Sequence, residues 1–367
     1  MGMHVGMHVT WACMHLIVCL PACLPGAMAG VPALLALPPE LLALVVSKVV
    51  GKGDLRLTCH ALRLAVGAGT TGLTWRGGPG SAPVNLAALL PTTCPGIKLL
   101  DCSNVGTSLV SLVGCPPTTH TLICSCTAVA DLGPLAACSA LQSLYCNDTQ
   151  VADLGPLAAC TGLQDLSCYD TQVMNLGPLS ACTGLQTLNC FNTLVSDLGP
   201  LTSCTRLQFL QVGDTQITSL GPLSACSGLQ HLHCNATGVV DLGPLAACTL
   251  LQDLDCSDNR LADLSPLAAC TLLQDLDCGC TQVSDLSPLA ACTGLQHLHC
   301  FDTRVADLGP LAACKALSMV YCSRTRVSDL DPIMGCTQLS VVWCDDRVSQ
   351  EQVQQLEAAG VEVTVAT

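Results

Sequence analysis

Apolar positions in this chain return with a period of 22 residues. Leu132, Leu154, Leu176, Leu198, Leu220, Leu242, Leu264, Leu286, Leu308 and Leu330 mark the phase, and each is followed two positions later by a proline, from Pro134 to Pro332. Self-similarity at this period denotes a stack of small units, none of which can bury a core without its neighbours. Within one copy, Leu166 and Cys168 alternate with polar residues as in a half-buried strand. Gly155 and Pro156 then break the strand. Proline at the head of Pro-Leu-Ala-Ala-Cys suits the first turn of a short helix, where its missing N–H costs nothing. Each unit is therefore predicted to pair a short parallel strand on a concave face with a helical or 3-10 turn on a convex one.

The run Leu163-Gln-Asp-Leu166-Ser-Cys168-Tyr-Asp-Thr171-Gln-Val173 resembles the leucine-rich-repeat signature L-x-x-L-x-L-x-x-N-x-L, with Cys in the third apolar slot and Thr in the Asn slot. Asp153-Leu-Gly-Pro-Leu157 resembles the return segment of the 22-residue internalin-like class. The resemblance covers residues 97–348. It implies an α/β fold, a solenoid with a curved parallel sheet and a helical or 3-10 convex side. In the Thr column, of which Thr149 and Thr281 are members and in which Asn259 keeps the family's usual residue, a buried hydroxyl is expected to bond the backbone of the turn leaving each strand.

The chain contains 29 cysteines, a content that suggests a disulfide scaffold if position is ignored. Twenty-one of them fall in two core columns, one running from Cys138 to Cys336 and the other from Cys102 to Cys344, where Val212 stands in once. Equivalent residues of stacked strands lie about 4.8 Å apart with parallel Cβ vectors. A disulfide requires Cβ atoms about 3.8 Å apart and facing each other, so bridges along a ladder are disfavoured. Buried thiols kept reduced point to an intracellular compartment, cytoplasmic or nuclear.

Charged residues make up only 11% of the chain and the net charge is −14, which argues against nucleic acid as a partner. No apolar run is long enough for a membrane span. Residues 1–36 form an apolar leader, disordered or signal-like: Ala27-Met-Ala29 offers a cleavage site, but no Lys or Arg precedes Lys48. Secretion stays open on this ground. Residues 68–96 read as a Gly/Pro-rich linker with a degenerate repeat. Residues 349–367 read as a C-terminal cap, with a helix opened by Ser349 and stopped by Gly360.

Residues 37–67 resemble an F-box. Leu37, Pro38, Glu40, Leu41, Leu42, Val45, Asp54, Leu55, Leu57, Cys59, Leu62 and Arg63 match its pattern, although the stretch between Asp54 and Cys59 is shorter than the family's usual one. The resemblance implies a small all-α segment in which Leu37, Pro38, Leu41, Leu42, Val45, Leu55 and Leu57 contact the adaptor of a cullin–RING ubiquitin ligase. The repeats behind it would select the substrate. A plainer role for the same helices is to cap the open end of the solenoid.

Function is expected at the concave strand positions that the repeat leaves free. Tyr145, Tyr169, Phe191, Phe209, Phe301, Tyr321 and Trp343 fall there in a chain only 2% aromatic, and aromatics commonly anchor partners. His231 and His233, Asp253 and Asp255, Asp275 and Asp277, and His297 and His299 occupy the same two slots on four consecutive strands, bordered by Asp214, Asp258 and Asp302. Stacked carboxylates repel one another, which raises their pKa values and favours a cationic partner, so a basic protein substrate is expected. The histidines His231, His233, His297 and His299 are secondary candidates for a divalent metal; no cofactor is expected. Neither a nucleophile–base constellation nor a phosphate loop is present, so an enzyme is not expected. The alternative to a ligase receptor is a secreted or surface internalin-like protein that binds a ligand.

Overall fold

A computed structural model describes residues 72–74, 84–85, 97–103 and 109–366. The chain divides into two units, Met1–Ala130 and Asp131–Thr367. In the first, strands β1 (Gly72–Thr74), β3 (Leu99–Asp101) and β5 (Thr121–Ile123) pair in parallel, and β2 (Val84–Asn85) pairs with β4 (Leu109–Ser111). The leader and the F-box-like residues Leu37, Pro38, Leu41, Leu42, Val45, Leu55 and Leu57 lie outside the described residues.

The second unit carries the regular repeats. Its strands are β6 (Ser143–Tyr145), β7 (Asp165–Ser167), β8 (Thr187–Asn189), β9 (Phe209–Gln211), β10 (His231–His233), β11 (Asp253–Asp255), β12 (Asp275–Asp277), β13 (His297–His299), β14 (Met319–Tyr321), β15 (Val341–Asp345) and β16 (Glu362–Ala366). They form one parallel sheet in chain order. From β6 to β15 the register places each residue beside the one 22 positions on, as in Leu254↔Leu276. The middle residue of each three-residue strand is buried, as Leu232, Leu254 and Leu276 show, and its two neighbours face outward.

Between strands the chain returns through five-residue 3-10 helices, of which Gly155–Ala159 is typical. The return segment is closed by successive bonds to the third residue back: Leu157 N–H to Leu154 O at 2.8 Å, Cys160 N–H to Leu157 O at 2.9 Å and Leu163 N–H to Cys160 O at 3.0 Å. Pro156 occupies the start of the helix, where no donor is required. The polar residue two places before each 3-10 helix's first residue, usually Asp, holds the turn, with Asp153 Oδ1 accepting from Gly155 N–H at 2.7 Å, and Asn175 and Ser219 doing the same for Gly177 and Gly221. The last return is a short α-helix, α1 (Asp331–Met334). Helix α2 (Gln350–Ala358) follows, capped by the Ser349 hydroxyl accepting from Gln352 N–H, and β16 lies on β15.

The 24 described cysteines are all thiols, and in the two columns this agrees with the ladder geometry, which disfavours bridges. Their position is explained by hydrogen bonding as well as size. Cys160 Sγ–H donates to Leu135 O and Cys138 O, both at 3.5 Å, and the same pair of contacts recurs at Cys182, Cys204, Cys226, Cys248, Cys270, Cys292 and Cys314. A small apolar side chain with one weak donor thus fills the core and also meets the carbonyls at the end of the preceding helix. Burial pushes these thiols up, Cys146 to about 12 and Cys248 to about 12, so the columns are inert as nucleophiles.

The Thr column does what the sequence implied. Thr149, Thr171, Thr193, Thr215, Thr281, Thr303 and Thr325 each donate a hydroxyl bond, 2.5 to 2.7 Å long, to the carbonyl three residues back. Asn259 does more. Its Nδ2 donates to Cys234 O at 2.8 Å and to Cys256 O and Ser257 O at 3.1 Å, while Oδ1 accepts from Thr237 N–H and Oγ1–H. The Asn therefore stitches two repeats where Thr closes only its own turn. The residue before this column has a left-handed backbone, as at Asp148 (φ 54°), Asp170 (φ 54°) and Asp258 (φ 54°). Asp and Asn tolerate that region best among residues with a side chain, which accounts for the recurring Asp-Thr pair.

Candidate functional site

Three outward slots per repeat remain once the core and turn columns are assigned. The first and second lie at the ends of each three-residue strand, and the third lies two residues beyond the second. Phe209 occupies a first slot, and Tyr145, Tyr321 and Trp343 occupy second slots. Tyr169, Phe191 and Phe301 correct the expectation of strand positions: they sit in third slots, past the strand ends Ser167, Asn189 and His299. Phe301 lies directly over Gly279, where an added Cβ would meet its ring at 2.5 Å. Glycine at 279 is what lets that ring approach the neighbouring turn so closely.

The strands β10 to β13 bring the His and Asp pairs into register, His231 beside Asp253 and His233 beside Asp255, then Asp275 beside His297 and Asp277 beside His299. Asp253 Oδ2 receives two rings, His233 Nε2 at 3.0 Å and His231 Nδ1 at 3.5 Å. His297 Nδ1 meets Asp275 Oδ1, and His299 Nδ1 lies 3.2 Å from Asp277 Oδ2. Asp255 turns to its own turn instead, accepting from Ser257 Oγ–H at 2.6 Å and Ser257 N–H at 3.1 Å. The far nitrogen of His233 lies 3.4 Å from Gln211 Nε2. The four aspartates, His233, His297 and His299, with Leu254, Leu276 and Met319, line a cavity of about 370 Å³ open on the strand face.

Electrostatics at the site differ from simple carboxylate repulsion. Burial would raise Asp253, but hydrogen bonds and charge from His233 and His231 outweigh it and hold the carboxyl below 3.8. His233 is raised above 6.5 by its bond to Asp253, against the opposing effect of burial. Asp255 is raised, chiefly by burial; the Ser257 bonds oppose this, and the charge of Asp277 adds to the rise. Sequence reasoning missed that the flanking histidine rings turn onto the carboxylates of the strip, although the in-register His-Asp-Asp-His order was readable.

Aromatic contacts frame the patch on both sides. Phe209 lies 6.1 Å from the His231 ring and 5.8 Å from that of His233. His299, Tyr321 and Trp343 form a row, with centroids 4.5 Å and 5.2 Å apart. Trp343 is 42% exposed at its end. Among the described residues no three His, Cys, Asp or Glu side chains are grouped to hold a metal ion. The spacing explains why His231 and His233 cannot share one with His297 and His299: three strand steps, roughly 14 Å, separate the pairs.

Residues 249–291 match the family model for leucine-rich repeats. The match spans two copies of the repeat, on β11 and β12. The solenoid is similar to an internalin, InlF, from Listeria monocytogenes, with a TM-score of 0.68 and 21% identity over 82% of this chain and 94% of that one. The functional domain of InlJ from Listeria monocytogenes, which includes a cysteine ladder, gives a TM-score of 0.60 and 20% identity over 68% of this chain and 55% of that one. The ectodomain of a plant membrane receptor kinase from Arabidopsis thaliana, solved in complex with Casparian strip integrity factor 2, gives a TM-score of 0.59 and 13% identity over 74% of this chain and 38% of that one. At these identities the likeness concerns the fold. No curated protein sequence matches the chain, and no helix among the described residues is long and apolar enough to cross a membrane.

Proposed function

We propose that this leucine-rich-repeat solenoid is a protein-recognition scaffold whose strand face docks a basic segment of a partner. One observation carries the reading: core and turn columns are held constant by packing, whereas the outward strand slots vary and concentrate half-exposed carboxylates, histidines and aromatics on β9 to β15. A desolvated aromatic anchor beside opposite charge is the usual makeup of a protein hot spot. The test compares partners captured by the full chain with those captured by a Tyr321→Ala, Trp343→Ala variant and by a Leu250→Ala, Leu272→Ala variant. The latter pair is exposed in the loops that lead into β11 and β12. Loss of a partner with the first variant and retention with the second is expected; the reverse would sink the proposal.

The finer proposal is that the scaffold is the substrate-recognition subunit of an SCF-type ubiquitin ligase in the cytoplasm or nucleus. It rests on the F-box resemblance of residues 37–67, and the reduced cysteine columns are consistent with that compartment. Leu41→Asp with Leu42→Asp is expected to abolish recovery of the ligase adaptor while the solenoid stays folded. Equal recovery by wild type and variant, or none by either, would reject it. The competing proposal is a secreted or surface ligand-binding protein with no ligase role, for which extensive thiol oxidation in the native protein would speak.

A further inference from the structure

Along β10 to β13 the outward slots read His, Asp, Asp, His, twice over, and the rings of the outer strands turn inward onto the carboxylates of the central ones. With the imidazoles neutral, Asp253, Asp255, Asp275 and Asp277 leave the patch with four negative charges; with all four rings protonated those charges are balanced within the protein. Histidine is the side chain whose charge changes near neutral pH. The neighbouring strands supply no competing charge at these slots: β9 presents Phe209 and Gln211, and β14 presents Met319 and Tyr321. The other titratable groups nearby, Asp214, Asp258 and Asp302, sit in the turns beyond the strand ends, where Arg324 lies 3.9 Å from Asp302.

Protonation would act twice. It removes the net attraction for a cation, and it strengthens the bonds that already occupy Asp253, Asp275 and Asp277. A basic side chain arriving at the cavity must then displace an imidazolium. We infer that the His–Asp lattice makes the strand face a pH-gated docking surface, open to a basic segment while the imidazoles are neutral and closed by the protein's own imidazolium groups once they are protonated. The gate rests on the docking function proposed above.

The test uses the full chain and a fluorescein-labelled (Arg-Gly)5 peptide as probe, with anisotropy read at about pH 8 and about pH 5.5 at constant ionic strength. Wild type is expected to bind about tenfold or more weakly at the lower pH. A His231→Asn, His233→Asn, His297→Asn, His299→Asn variant is expected to keep its higher-pH affinity at both values. An Asp253→Asn, Asp255→Asn, Asp275→Asn, Asp277→Asn variant gives the background from carboxylates elsewhere. The same pH response in wild type and the histidine variant would overturn the gate and leave docking intact. Binding by wild type no stronger than by the Asn variant at either pH would overturn the docking function itself. If circular dichroism shows the quadruple histidine variant unfolded, His297→Asn with His299→Asn takes its place. Part of the response is then expected to disappear, and an undiminished response would overturn the gate.

Discussion

Replacing Asn259 by Thr tests whether one side chain ties two repeats together. Asn259 is buried and makes five hydrogen bonds, two accepted from Thr237 and three donated to carbonyls of its own and the preceding repeat. Threonine is native to this column and reproduces one of them: Thr281 Oγ1–H donates to Cys278 O at 2.6 Å, as a Thr at 259 would to Cys256 O. The one Thr237 hydroxyl proton, which Asn259 Oδ1 and Cys234 O share in the wild type, is left to Cys234 O, 2.8 Å away. What disappears is the set of links to Cys234 O, Ser257 O and the two Thr237 donors. At roughly 0.5–1.5 kcal/mol net per bond, discounted because the groups share partners, the loss should be about 2–3 kcal/mol. Because solenoid stability is a sum of repeat and interface contributions, this weakens one interface and not the whole stack evenly. Urea unfolding is expected to shift to a lower midpoint, and hydrogen exchange of the Thr237 amide should accelerate selectively. The converse change, Thr303→Asn, should stabilise by about 1 kcal/mol through new bonds toward Thr281 and Cys278. An unchanged midpoint for Asn259→Thr, with Thr237 exchange also unchanged, would refute the reasoning.

Three further outcomes follow from the electrostatics and the thiols. Asp255→Asn, which keeps an acceptor for Ser257, should stabilise by about 0.5 kcal/mol at neutral pH, where the half-buried carboxylate with its raised pKa is ionised at a cost, and by nothing once acid has protonated the wild type; melting temperatures across pH decide it. His233→Asn should lower the melting temperature most between about pH 4 and pH 6.5. The raised His233 stabilises below its unfolded value and loses that effect as pH rises through its folded one, whereas the lowered Asp253 loses its own as pH falls below 3.8; a difference that grows above pH 8 would contradict the pairing. Among the described cysteines, half-exposed Cys126 and Cys280 should be alkylated in the native protein before any other, with Cys280, raised to about 11 by burial and then by Asp258, reacting slowly; peptide mapping that finds the two core columns labelled equally fast would contradict the packing.

The repeat made most of the solenoid readable. A fixed period, alternation about Leu166 and Cys168, and a Pro two places after each phase-marking Leu determine strand, return and core, because each must recur for stacked copies to fit. Less readable was whatever depends on direction. The Asp-Thr pair did not announce a left-handed Asp, since the same letters serve an ordinary turn. The Cys column looked like a matter of size until its Sγ–H groups were found on the carbonyls of the preceding repeat. At the patch the residues were identifiable, but slot assignment was coarser: Tyr169, Phe191 and Phe301 lie past the strands, and whether a ring faces solvent or the next strand's carboxylate is set by rotamers that periodicity does not encode.

Carboxyl footprinting tests the central claim most directly, because the chain carries aspartates on two distinct surfaces. Asp253, Asp275 and Asp277 lie on the strand face, and Asp263, Asp285 and Asp307 hold the exposed turns before the 3-10 helices. Carbodiimide-activated labelling of the full chain, with and without a captured partner, should show the strand-face group protected by binding and the turn group unchanged. Protection of the turn group with the strand face still reactive would contradict the account.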